Sequence, residues 1–250
     1  MSELHRFRFV IEYDGAPYSG WQSQAEGRGV QDAIERAIAK MNEGLRRLIV
    51  AGRTDAGVHA LGQVAHVDLA KDWDPFVLMS ALNAHLEQAN DAIAILSCEK
   101  ADPNFSARLN AKKRHYRYRI LNRRAPPALD RRHVWLISKP LDVAAMQEAA
   151  QTILGKHDFT TFRAARCQAK SPVRTLERLE VFAAGDEVHI EASARSFLHH
   201  QVRSMVGTLE KIGRGSWPVS AMREALDAKD RARCGPVAPP DGLYFLRVEY

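Results

Sequence analysis

The chain has 250 residues, 46% hydrophobic and 26% charged, with a formal net charge of +6. Those proportions are ordinary for a globular protein with one large core or two small ones, and no apolar run approaches the roughly 20 residues of a membrane-spanning helix. Ten Lys/Arg against the single acid Asp130 give Ser106–Arg132 a local charge of +9, so the remaining 223 residues carry −3.

In chain order, Met1–Arg8 has no apolar stretch behind its charges, so a secretory leader is not expected. His5–Tyr13 alternates, with Phe7, Phe9, Ile11 and Tyr13 on one face and Arg6, Arg8 and Glu12 on the other. That period of two predicts a half-buried strand, with a turn at Asp14-Gly15. The apolar spacing of Val30, Ala33, Ile34, Ala37, Ile38 and Met41 predicts a helix. Leu45–Ala51 and Gly62–Leu69 read as strands, Pro75–Leu86 as a helix capped by Asp74, and Ala92–Cys98 as a strand. The order is β-α-β-β-α-β.

The second half has a similar order. Lys112–Leu121 alternates strongly and Arg132–Ile137 is a short strand. Asp142–Leu154 reads as a helix ended by Gly155, and Val173–Ala183 with Glu187–Ala194 as a hairpin. Phe197–Ile212 and Ala221–Leu226 read as helices, and Leu243–Tyr250 as a closing strand. The expected fold is α+β: two similar halves, 1–104 and 105–250, sharing a mainly antiparallel mixed sheet. Helices are expected on one face of that sheet, leaving the other as an open cleft.

Several chemistries lack their motifs. The sequence has no Walker loop, no H-E-x-x-H, no C-x-x-C and no G-x-S-x-G. Cys98, Cys167 and Cys234 are widely spaced, which disfavours a disulfide framework or zinc ribbon and suits a reducing cytoplasm. His199 and His200, adjacent on a helix, would point ~100° apart, poorly placed for one metal. Neither a metal nor a cofactor is expected.

The densest polar cluster is Gly52-Arg53-Thr54-Asp55-Ala56-Gly57-Val58-His59, set between two strands. Its carboxylate, Asp55, needs no activating partner to act as nucleophile or base, and Arg53 is near enough in sequence to favour the charged form. The plain alternative is a turn in which Asp55 caps backbone amides. In Lys112-Lys113-Arg114-His115-Tyr116-Arg117-Tyr118-Arg119, basic side chains alternate with aromatics. Arginines and lysines of this kind meet phosphates while rings stack on bases; the plain alternative is core tyrosines beneath a solvated basic face. Two further clusters, Tyr13-Asp14-Gly15 with Tyr18-Ser19-Gly20-Trp21-Gln22, and Phe197-Leu198-His199-His200-Gln201-Val202-Arg203, decide nothing alone. On a helix, His199 and Arg203 would share one face.

Taken in order, these segments resemble the tRNA pseudouridine synthase A family. Gly52–His59 resembles its catalytic motif and continues into Gly62-Gln63-Val64-Ala65-His66. Tyr13-Asp14-Gly15, Gly20-Trp21-Gln22, Val30-Gln31, Phe105-Ser106-Ala107-Arg108, Tyr116-Arg117-Tyr118, His157-Asp158-Phe159 with Phe162, Phe197–Arg203 and Gly242-Leu243 resemble its other signatures. Gln201 departs from an expected Met, and Glu87 from an expected Leu-Pro after Leu82-Asn83.

The resemblance implies an isomerase that converts uridine to pseudouridine in the anticodon stem-loop, at tRNA nucleotides 38, 39 and 40, without a cofactor. It implies that Asp55 is the catalytic carboxylate, acting as nucleophile on the sugar or as base at the 2′ carbon. Tyr116 would stack on the target base and Arg53 would hold the extruded nucleotide. Arg203 would form site wall, and Lys112, Lys113, Arg114, Arg117 and Arg119 would contact the RNA backbone. A cytoplasmic homodimer with no membrane partner is also implied. Two rivals are a non-catalytic tRNA-binding protein on the same scaffold and a metal-dependent nuclease. The first need not keep Asp55, and the second needs clustered carboxylates that the basic strip lacks.

Overall fold

The structure is a computed structural model describing residues 4–23, 27–44 and 46–250. The fold is α+β, and among the described residues there are ten strands and five α-helices. The chain divides into two compact units, 1–112 with 245–250, and 113–244.

The first unit contains β1 (His5–Tyr13), α1 (Val30–Ile38), β2 (Ile49–Val50), β3 (His59–Leu69), α2 (Pro75–Gln88) and β4 (Ile93–Lys100). Its strands run β4-β1-β3, with β2 beside β3, all antiparallel. The expected alternation of β1 holds: Phe7, Phe9 and Ile11 are fully buried and Glu12 is exposed. They share the core with Val30, Ile34 and Ile38 of α1 and Leu78, Leu82 and Leu86 of α2. Each such buried side chain contributes about 1.5–3 kcal/mol of transfer free energy. Asp74 caps α2 as expected, accepting from the Val77 N–H at 3.0 Å.

Two expectations are corrected here. The regular turns of α1 stop at Ile38, not Met41, and a π-turn over Ala39–Glu43 follows. Tertiary bonding accounts for the irregularity: the Glu43 carboxylate accepts from the Ala70 and Lys71 amides at 2.8 and 3.2 Å and from Trp73 Nε1 at 2.9 Å. The strand expected over Leu45–Ala51 is only Ile49–Val50; Leu45 lies outside the described residues, as do 1–3 of the N-terminal stretch.

The segment 105–112, expected in the second half, belongs to the first unit. Phe105 packs with its ring centroid 5.9 Å from His66 and 5.0 Å from Tyr250. The Arg8 guanidinium lies 5.7 and 5.1 Å from the Phe105 and Tyr250 ring centroids. Ala51, Val64 and Ala107 complete a second small core with Val10 and Val248.

The second unit contains β5 (Lys113–Leu121), β6 (Trp135–Leu136), α3 (Val143–Gln151), β7 (Gly155–Asp158), β8 (Val173–Ala184), β9 (Glu187–Ala194), α4 (Gln201–Gly213) and α5 (Ala221–Ala228). The strand order is β5-β9-β8-β7, antiparallel, with β6 parallel to β5. A last strand, β10 (Leu243–Glu249), starts in this unit and ends in the first. β7 has no counterpart in the sequence reading, where Gly155 serves only as a helix stop. Gly155 adopts φ +99, after the helix has already ended at Gln151. The helix expected from Phe197 begins at Gln201, because His200 sits at φ 64 and the Gln201 side chain accepts from the Leu198 N–H at 2.8 Å.

Candidate active site around Asp55

Asp55 sits on the loop between β2 and β3, partly exposed, while Thr54 before it is buried and Arg53 is exposed. Backbone contacts hold this loop. Gln63 Nε2 donates to the Gly52 carbonyl at 2.7 Å, and the Val58 N–H donates to the Asp55 carbonyl at 3.1 Å. Gly57 turns the chain at φ +78.

The segment after β1 supplies the other wall. The Trp21 N–H donates to the Thr54 carbonyl at 3.1 Å. Gly20 sits at φ +97, where a side chain would be strained. A Cβ there would lie 2.8 Å from the Thr54 carbonyl oxygen and 3.1 Å from the Asp55 carbonyl carbon. A Cβ on Gly15 would collide with the Val58 backbone. The two glycines therefore let two backbones touch on either side of Asp55.

Side chains add to the grip. The hydroxyls of Tyr13 and Thr54 are 2.7 Å apart. Burial pushes the Tyr13 phenol up to about 12, so it remains protonated at neutral pH. The buried His59 Nδ1 lies 3.1 Å from the Gly15 amide nitrogen and 2.9 Å from Asp14 Oδ1. The same Asp14 oxygen accepts from the Ala16 N–H at 2.8 Å.

In the second unit, Tyr116 is buried and packs edge-on against Phe197, with ring centroids 5.2 Å apart. Tyr118 shares that side of β5, fully buried, its hydroxyl donating to the Pro239 carbonyl at 2.8 Å. Arg203, on α4, donates through Nε to the Ala238 carbonyl at 2.7 Å. His199 precedes α4 and so does not share a helix face with Arg203, contrary to expectation.

The opposite side of β5 carries Lys113, Arg117 and Arg119, and each already meets a carboxylate. Lys113 Nζ is 2.6 Å from Glu177, and Arg117 holds Glu191 at 2.6 and 2.9 Å. Arg119 holds both oxygens of Glu187 at 2.6 and 2.9 Å. Arg114 is buried and donates to the Arg195 carbonyl. Of the five basic residues named from sequence, Lys112 is the exposed one.

A family model described as tRNA pseudouridine synthase matches residues 9–108 and 149–250. The chain belongs to the tRNA pseudouridine synthase family. It is 58% identical to tRNA pseudouridine synthase A of Bartonella bacilliformis over 247 residues, 99% of this chain and 100% of that protein. Proteins of the same name from Mesorhizobium japonicum and Sinorhizobium medicae are 58% and 55% identical with the same coverage. The family match contains the Asp55 loop and its supports, Tyr13, Gly20 and Gln63, and leaves out 109–148.

The Tyr13–Thr54 contact was not foreseeable from spacing. The alternation of β1 marks Tyr13 only as a core residue, and its partner is 41 residues away. The glycines of the Tyr13–Gln22 cluster were the available signal, since paired glycines mark close backbone approach.

Proposed function

We propose that this protein converts uridine to pseudouridine in the anticodon stem-loop of tRNA, at nucleotides 38, 39 and 40, with Asp55 as the catalytic carboxylate. The observation that carries this reading is the Asp55 loop, pinned by backbone contacts from both sides in a chain of this family. A carboxylate on a fixed backbone needs little reorganisation as charge develops on the sugar.

The reaction is an isomerisation. The N1–C1′ bond breaks, the uracil turns, and a C5–C1′ bond forms. C5 gives up its proton and N1 gains one, so the composition is unchanged. Asp55 acts on the sugar, as nucleophile at C1′ or as base at the 2′ carbon. The target leaves the stack first, at a cost of a few kcal/mol. Exposed Arg53 suits the extruded nucleotide, Tyr116 the base, and Arg203 the site wall. Lys112 keeps an open ammonium for phosphate, whereas Lys113, Arg114, Arg117 and Arg119 would have to leave partners they already hold. A homodimer in the cytoplasm completes the reading; no described helix is long and apolar enough to cross a membrane.

The test is purified protein with unmodified tRNA and no added cofactor, followed by pseudouridine mapping. Wild type modifies nucleotides 38, 39 and 40. Asp55→Asn forms no pseudouridine but binds tRNA with wild-type affinity. Full activity in that variant removes Asp55 from the chemistry.

A further inference from the structure

The basic strip changes character in the folded chain. Three cations of the strand, Lys113, Arg117 and Arg119, face carboxylates from outside the strip: Glu177, Glu191 and Glu187. The charge predicted for the strand is therefore largely spent within its own sheet. The loop between β5 and β6 differs beyond its first arginine, Arg123, which pairs with Asp186: Arg124 and Arg131 are exposed on it, and Leu129 is 96% exposed. This loop lies in the segment that the family model does not match.

The loop is anchored at both ends. Asn122 Nδ2 donates to the carbonyls of Ile137 and Lys139 at 2.8 and 2.7 Å, and its Oδ1 accepts from the Leu141 N–H at 3.1 Å. At the far end the His133 N–H donates to the Asp130 carbonyl at 3.0 Å, and the Tyr244 hydroxyl donates to the His133 carbonyl at 2.7 Å. Pro126 and Pro127 restrict the backbone between. The one acid of the loop, Asp130, lies 3.6 Å from Arg119, which partly offsets its charge.

We propose that the loop Arg123–Arg132 is an RNA clamp, in which Arg124 and Arg131 hold phosphates and Leu129 seats against a nucleotide face. This rests on the tRNA reading above and names a contact for that substrate. Guanidinium groups suit bidentate phosphate contacts. A solitary exposed apolar side chain among arginines is the chemistry of a wedge or stacking contact on nucleic acid. Anchored ends and prolines reduce the ordering cost on binding.

The experiment measures tRNA affinity against salt for wild type, R124Q/R131Q, L129S and R117Q/R119Q, with pseudouridine kinetics and sedimentation on each. Each phosphate contact contributes about 0.9 to the salt slope. R124Q/R131Q is expected to lower the slope by about 2 and to raise KM about tenfold at low salt with kcat kept. L129S weakens binding and keeps the slope; R117Q/R119Q also keeps it. An unchanged slope in R124Q/R131Q, or a slope lost in R117Q/R119Q instead, overturns the clamp. Weakened binding accompanied by a changed oligomeric state overturns it too, because the loop would then be a subunit contact. If wild type forms no pseudouridine and binds no tRNA, the function reading fails with it; if wild type is active and only the slope result fails, the clamp alone is lost.

Discussion

Tyr13 Oη and Thr54 Oγ1 are 2.7 Å apart, joining the end of β1 to the residue before the catalytic candidate. Both groups are buried. Of the two, Thr54 is on the Asp55 loop and Tyr13 is on a rigid strand, so the bond transmits the position of the sheet to Asp55.

Tyr13→Phe removes this bond and leaves the ring. A neutral buried hydrogen bond is worth about 1 kcal/mol net, with the unpaired Thr54 hydroxyl adding to the cost. The expected result is a loss of about 1–2 kcal/mol in urea unfolding and a fall in kcat larger than any rise in KM. Equal stability and unchanged kcat would show that the loop is positioned without Tyr13.

Gly20→Ala tests the backbone contact. The residue sits at φ +97 with its Cβ direction blocked by the Thr54 carbonyl. Gly185 supplies the control, at φ +61 with nothing within 4 Å of its Cβ direction. Gly185→Ala should cost about 1–2 kcal/mol from conformation alone. Gly20→Ala should cost more, and should lower activity at temperatures where the variant is still folded. Equal costs at the two sites would remove the steric argument.

Acid stability should depend on Asp68. Its side-chain bond to Arg6, at 2.7 Å through two oxygens, holds the Asp68 carboxyl below the usual range. A depressed folded value stabilises the fold above the unfolded carboxyl value, near ~3.9, and that stability is lost as pH falls through the folded value. Asp68→Asn should therefore flatten the acid limb of a melting-temperature profile below about pH 4 and leave little change in its shape from pH 6 to 8. The side chains are partly exposed, so the effect is modest. An acid limb identical to wild type would assign acid unfolding to other carboxylates.

Much of the fold was legible because its signals are local. The period of two in β1, the helical spacing from Val30, which holds as far as Ile38, and the Asp74 cap each need only neighbouring residues, and each appears in the structure. The element order of the first hundred residues follows. Helix ends were less legible. The start of α4 depends on a left-handed His200 and a side-chain bond back from Gln201, and the end of α1 on carboxylate bonds from Glu43 to residues 27–30 positions later.

The sequence by itself determined the two-period and helical patterning, the Asp55 loop between two strands, and the place of +9 charge along the chain. Tertiary structure decided what those features mean in space. It placed Tyr13 against Thr54, moved Phe105 into the first unit, and set Glu187 and Glu191, 68 and 74 residues away in sequence, beside Arg119 and Arg117. The physical reason is common to all three. Burial, backbone approach and ion pairing act between atoms a few ångströms apart, and strand register, not sequence distance, chooses those neighbours.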